Sequence, residues 1–444
     1  MLNDEVDPRN AERTIAITAT FTAEPLERPL TFWLDELQIP ARITFAPYNQ
    51  VFQQLVDPSS LLGCNRTGVN IILVSFEDWQ KSAAGRQAAD LSFAALERDV
   101  RDFARAVTAA VERSATPQFV CLCPASPAVV MDPDRKRFFE DIAASLQAEL
   151  QEIPGVHVIS PAELFACYPV AEYHDPHTDS LARIPYTPLF FSALATMLAR
   201  KIYRLTSNPY KVIVLDCDQT LWGGVCGEEG AAGIAITPPW KKIQEFLLEQ
   251  YHAGMLLCLC SKNNEADVVE VFTSRSDMAL KLDHFVARRI NWRQKSENIR
   301  ALAQELNLGA DSFIFLDDDP VECAEVQSHC PEVLTFQVPR DPEQAGRFLS
   351  HLWIFDHLKV TAEGQQRNLA YKQSSERKSF HNASLSFRDF LAGLDLKIEI
   401  SPLVPHQIPR VAELTQRTNQ FNFTTQRRSE SDIQRLYQGR AAEC

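Results

Sequence analysis

The chain has 444 residues, more than one hydrophobic core usually serves, so two or three domains are expected. Its 45% hydrophobic and 23% charged residues are those of an ordinary soluble globular protein. The 44 Lys and Arg stand against 58 Asp and Glu, and the resulting net charge of −14 repels phosphate backbones, which argues against nucleic acid as a partner.

The chain opens on MLNDEVDPRNAER, polar and acidic, without the basic-then-apolar pattern of a signal peptide. Apolar runs at 14–18, 41–47, 70–76, 118–124 and 156–160 read as strands, and the stretches around 87–114 and 133–152 read as amphipathic helices. Apolar strands alternating with helices imply a parallel sheet covered on both faces. A helix over 187–205 leads into a second α/β unit with strands expected at 211–218, 255–261, 284–287, 312–319 and 333–338. Residues 343–380 read as a charged helical connector. LKIEISPL (396–403) and a helix over 408–421 then form a short α+β segment, too small to close a core alone. It is either a docked appendage or the start of a domain cut short. The fold class is therefore α/β with two parallel-sheet domains, divided as 1–206, 207–345 and 346–444. No apolar run is long enough to cross a bilayer. The 11 cysteines include two C-x-C pairs inside strand-like runs and no C-x-x-C, so reduced buried thiols and a cytoplasmic location are expected.

VIVLDCDQTLWGG is the strongest signal in the chain. It brings Asp216 and Asp218 to the carboxyl end of a strand, the edge at which open α/β sheets bind ligands. Both carboxylates reach one pocket only if the strand breaks there, which the Gly223–Gly224 pair permits. Asp216, kept ionised by a metal, can attack phosphorus; Asp218 can protonate the leaving oxygen and then deprotonate water. Downstream, Ser261 offers a hydroxyl to a phosphate, Lys295 opens a helix and can neutralise charge, and DDDP (317–320) can complete an oxygen site for Mg²⁺. Singly, each has a plainer reading: a solvated turn, Ser261 capping a helix near Asn264, a surface Lys295, Asp319 as the N-cap before Pro320. Four elements in this order, three of them ending apolar strands, point to phosphoryl transfer.

These residues resemble the haloacid-dehalogenase (HAD) superfamily, and within it the FkbH-like proteins that load glyceryl units in polyketide assembly lines. The resemblance rests on VLDCDQTLWGGVCGE (214–228), LCSKNNE (259–265), INWRQKSENI (290–299), FIFLDDDPVE (313–322) and TNQFNFTT (418–425), with TATFTAEPLE (18–27) and FAPYNQVFQQLVDPSS (45–60). It implies a Rossmann-like HAD domain with Asp216, Asp218 and Lys295 catalytic and Mg²⁺ held by Asp216, Asp218, Asp317 and Asp318. Thr220, Gly223, Gly224, Ser261, Lys262 and Asn263 would line the phosphate side. Asp319–Pro320 and Cys323 depart from the family's usual Asn-Pro and Arg.

The activity implied is removal of phosphate and transfer of a glyceryl unit from 1,3-bisphosphoglycerate, through an enzyme thiol, to an acyl carrier protein or polyketide synthase module. Neither the stretch from Asp218 to Trp240 nor that from Ser261 to Lys295 can hold a large lid domain, which suits a carrier partner. Cys226, exposed by its place in the glycine-containing loop, is the candidate thiol, although nearby carboxylates would raise its pKa. Cys217 is expected to point into the sheet and Trp222 to pack the loop. The N-terminal domain resembles the SGNH-hydrolase-like part of these proteins, but ThrAlaThrPheThr (18–22) stands where a Gly-Asp-Ser would carry the nucleophile. Thr20, Asn49 and His177 are then binding rather than catalytic candidates. TNQFNFTT resembles the start of an acetyltransferase-like region. Alternatives are a plain Mg²⁺-dependent phosphatase and a non-catalytic assembly-line scaffold.

Overall fold

A computed structural model describes residues 13–83, 93–357, 401–417 and 426–439. The chain forms two compact units: Met1–Thr206 with Pro402–Thr415 and Arg427–Cys444, and Ser207–Ser401 with Gln416–Gln426. The region expected as a third segment is thus shared between the two. Residues 418–425, which carry TNQFNFTT, and most of the 396–403 strand lie outside the described residues.

The first unit carries β1 (Arg13–Ala19), β2 (Ala41–Phe45), β3 (Gly68–Val74), β4 (Gln118–Leu122) and β5 (Val156–Ile159). They form one parallel sheet in the order β2-β1-β3-β4-β5. Each strand falls within two residues of the segment expected for it. The helices Phe93–Arg113, Pro133–Gln151 and Pro188–Thr206 also form as expected. Asp132 caps the second of these by accepting from the N–H groups of Asp134 and Arg135.

The second unit carries β6 (Val212–Leu215), β7 (Leu256–Ser261), β8 (Phe285–Ile290), β9 (Phe313–Asp317) and β10 (Leu334–Gln337), parallel in the order β10-β9-β6-β7-β8. Two cores show why the strands read as unbroken apolar runs. Ile213, Leu215, Leu257, Leu259, Ile314 and Leu316 bury on one face. Val212, Val214, Cys258, Cys260, Phe313 and Phe315 bury on the other. Cys258 and Cys260 share a face, as alternation requires, and all ten cysteines described are free thiols. After β6 the chain crosses to β7 on one side and later returns as β9 on the other. The ends of β6 and β9 therefore form the crevice where such sheets bind ligands. Both sheets bear out the expected α/β class. No helix among the described residues is long and apolar enough to cross a membrane.

Candidate active site

The register of β6 against β9 assembles the centre. Val212 lies beside Phe313 and Leu215 beside Leu316, so the next pair is Asp216 and Asp317. The Asp216 N–H donates to the Leu316 carbonyl at 3.1 Å, continuing the ladder by one residue. Alternation turns both carboxylates to the face on which the Lys295–Leu306 helix packs through Ile299 and Leu302. Lys295, its first residue, donates from Nζ to Asp216 Oδ1 at 2.7 Å and also to Asp317 Oδ2. Glu325 holds that helix start, accepting from Ser296 N–H at 3.1 Å and from its hydroxyl at 2.5 Å.

Asp216, Lys295, Ser296 and Asp317 are all buried. Burial works to lower the Lys295 pKa, but Asp216 and Asp317 outweigh it and hold the ammonium above its ordinary value. Burial and the neighbouring Asp216 push Asp317 up, against the pull of Lys295. Burial raises Asp318 as well, opposed by its hydrogen bond from Arg340 Nε at 2.9 Å. Oxygens of Asp216, Asp317 and Asp318 lie within 4.8 Å of one another. Three buried carboxylates share two cationic partners, Lys295 and Arg340, so the donor set suits a hard divalent cation.

The Asp218 carboxylate lies outside that cluster, contrary to the expected four-carboxylate set. Three donors hold it elsewhere: Trp222 Nε1 at 2.9 Å and Cys226 N–H at 3.0 Å on Oδ1, and Asn263 Nδ2 at 2.9 Å on Oδ2. The strand ends at Leu215 and the chain turns at Gln219, which adopts a left-handed backbone (φ 55°), ahead of the expected glycine pair. Gly223 instead pairs both backbone groups with Ala235, at 2.9 and 2.8 Å, so its N–H is not free for phosphate. Gly224 (φ 96°) turns the loop, and a Cβ there would meet the Glu229 carboxylate.

Ser261 and Asn263 lie beside Asp218, with Asn263 Nδ2 also donating to Ser261 Oγ at 3.1 Å. Thr220 is buried, and its hydroxyl has no hydrogen-bond partner among the described residues. Lys262 is drawn to Glu322 at 2.6 Å. Asp319 caps the Pro320–His329 helix, accepting from Val321 N–H at 2.8 Å.

Cys226 is not an exposed loop thiol. It opens the Cys226–Gly233 helix with 2% exposure, and burial with the adjacent Asp218 pushes its pKa up to about 12. Cys217 is fully buried, as expected, and burial with Asp216 also raises its thiol. Cys323, where the family often has Arg, is buried and points at the carbonyls of Asp317 and Phe336. Sequence reasoning gave Trp222 a packing role only; its indole N–H was missed as an Asp218 ligand. Arg340 and Glu325 carried no sequence signal, being ordinary charged residues brought in by the fold.

In the first unit, Thr20 is buried, accepting from Ser75 N–H and donating to Asp78, both at 3.0 Å. Its hydroxyl is committed to the fold rather than open to a ligand. His177 is exposed on the Pro176–Ala182 helix, and its N–H donates to the capping Asp175 at 3.0 Å. Asn49 adopts a left-handed backbone (φ 54°) before the Val51–Val56 helix.

No family model matches this chain, and no curated protein matches it. Among solved structures, the chain is similar to the N-terminal part of the protein BF1531 from Bacteroides fragilis, containing a phosphatase domain complexed with Mg. The TM-score is 0.66 at 24% identity, over 80% of this chain and 96% of that one. The likeness is one of fold, which in this chain is a pair of parallel-sheet α/β domains.

Proposed function

We propose that the second unit is a Mg²⁺-dependent phosphoryl-transfer enzyme of HAD type, a phosphatase by its half-reactions. The observation that carries this reading is Lys295 bridging Asp216 and Asp317 beside an Asp218 held by three donors. The magnesium in the BF1531 structure adds support. Asp216, Asp317 and Asp318 would hold Mg²⁺, which neutralises phosphate charge when bound.

Asp216 attacks phosphorus; the new P–O bond forms as the bond to the leaving oxygen breaks, and Asp218 gives that oxygen a proton. Asp218 then takes a proton from the water that attacks the aspartyl phosphate, releasing inorganic phosphate and restoring Asp216. Lys295 keeps Asp216 oriented and balances charge throughout.

The finer reading, glyceryl loading of an acyl carrier protein from 1,3-bisphosphoglycerate, rests on the sequence resemblance. Burial of Cys226 argues against it as the acyl acceptor, so the carrier's own thiol is the better one. That sulfur attacks the acyl carbon and expels the 1-phosphate, and the Asp216 site removes the remaining phosphate. Incubation with Mg²⁺, 1,3-bisphosphoglycerate and a carrier protein, followed by intact mass and phosphate assay, tests it. A glyceryl adduct on the carrier is expected, and Asp216→Asn should leave an adduct that keeps its phosphate. Phosphate release without an adduct would reduce the function to a plain phosphatase. Wild-type release unchanged in Asp216→Asn would remove Asp216 from the mechanism.

A further inference from the structure

The second unit buries Trp222 and Trp240 almost completely, yet leaves Trp292 with 70% of its surface exposed. Such an indole would bury something like 150–250 Å² if covered. Trp292 is not on a slack segment. Asn291 N–H donates to the Ser261 carbonyl at 3.0 Å, and its side-chain oxygen accepts from Arg293 N–H at 3.0 Å. The amides of Asn291 and Asn298 also exchange hydrogen bonds at 3.3 and 3.0 Å. Within this short turn between β8 and Lys295, the chain is pinned on both sides of an exposed indole.

The anchoring also fixes where the indole stands. Trp292 Nε1 lies 3.5 Å from Asn264 Oδ1, and Asn264 follows the Asn263 that binds Asp218. The leaving group of a phosphate ester must sit on the Asp218 side, since Asp218 protonates its oxygen. Atoms beyond that oxygen would run out past Asn263 and Asn264 towards Trp292. The segments joining β6 to β7 and β7 to β8 hold short helices and no inserted domain to cover them.

We propose that Trp292 is a specificity-determining residue that packs against the leaving group, so that the site favours phosphate monoesters with a long, uncharged, flexible chain over compact ones. This rests on the reading of Asp216 as nucleophile. An indole suits such a chain because it offers a broad apolar face. Lengthening the chain adds contact with the indole while the phosphate stays fixed at Asp216.

The test compares n-octyl phosphate with methyl phosphate as substrates of the full chain with Mg²⁺. In Trp292→Ala the ratio of kcat/KM for octyl over methyl phosphate should fall roughly tenfold, through KM, and Trp292→Phe should restore most of it. Octyl phosphonate should quench indole emission in Asp216→Asn, but far less in the Asp216→Asn/Trp292→Phe pair. An unchanged ratio in Trp292→Ala, with wild type active and Asp216→Asn dead, overturns the Trp292 role alone. Phosphatase activity absent from wild type, or kept in Asp216→Asn, overturns the underlying site and this inference with it.

Discussion

Removing the Lys295 ammonium would leave Asp216 and Asp317 as neighbouring buried carboxylates with no cation between them. Breaking a buried pair on one side costs far more than the pair contributes when intact. Lys295→Met is therefore expected to lose about 3 kcal/mol or more of stability in urea unfolding, and phosphate release with it. The residues of this centre were unequally legible. Asp216, Asp218, Lys295 and Asp317 stand at strand or helix ends with a distinctive order, so sequence alone suggested them. That Trp222 and the Cys226 N–H hold Asp218 was not legible, because it depends on the loop folding back after Gln219. Cys226 looked exposed only because its neighbours are glycines and acids; in the fold it is the buried first residue of a helix.

Strands were more legible than anything else in the chain. With both faces of each sheet covered, most positions of a central strand are apolar, and runs such as VIVL and FIFL have few alternatives. Turn chemistry between them is less visible. Gly68 opens β3 with φ 109°, and a Cβ there would collide with the backbone of Thr14 on β1. Gly68→Ala is expected to destabilise the first unit by about 2 kcal/mol or more, read as a lower midpoint of its denaturant transition. The pairing of Thr14 with Gly68 in the β1–β3 ladder is what makes that collision unavoidable. In the short C-terminal segment the helix expected from 408 forms over Ile408–Arg417, but the wider architecture was not legible for the opposite reason. Its described core is only Leu403, Ile408, Ala412 and Ile433, too few apolar positions to announce an architecture.

Over the whole molecule, two sheets and a charge of −14 set the terms on which ions and partners are met. A cation that binds the folded site and not the unfolded chain stabilises by mass action, about 2.7 kcal/mol at a hundredfold excess over Kd. Mg²⁺ should therefore raise the melting temperature of wild type, with most of the rise absent in Asp318→Asn. Asp318 is the better probe than Asp317, because its loss frees only Arg340, whose side chain is 69% exposed. Unaltered melting of wild type across millimolar Mg²⁺ would count against the three-carboxylate site.

The order in which β6 to β9 enter the sheet also sets a timetable for synthesis. Lys295 follows Asp216 by 79 residues, so a ribosome adding about 5–20 residues per second delivers the ammonium roughly 4–16 s after the carboxylate it must neutralise. Asp317 follows Lys295 by 22 residues. Through that interval the growing chain holds an acidic strand end whose counter-charge has not been made, and β6 lacks its β9 neighbour. The nascent second unit gains the whole cluster only when the segment ending at Arg340 clears the exit tunnel, so Asp216 is held back from its folded geometry until well over half of its unit has been made.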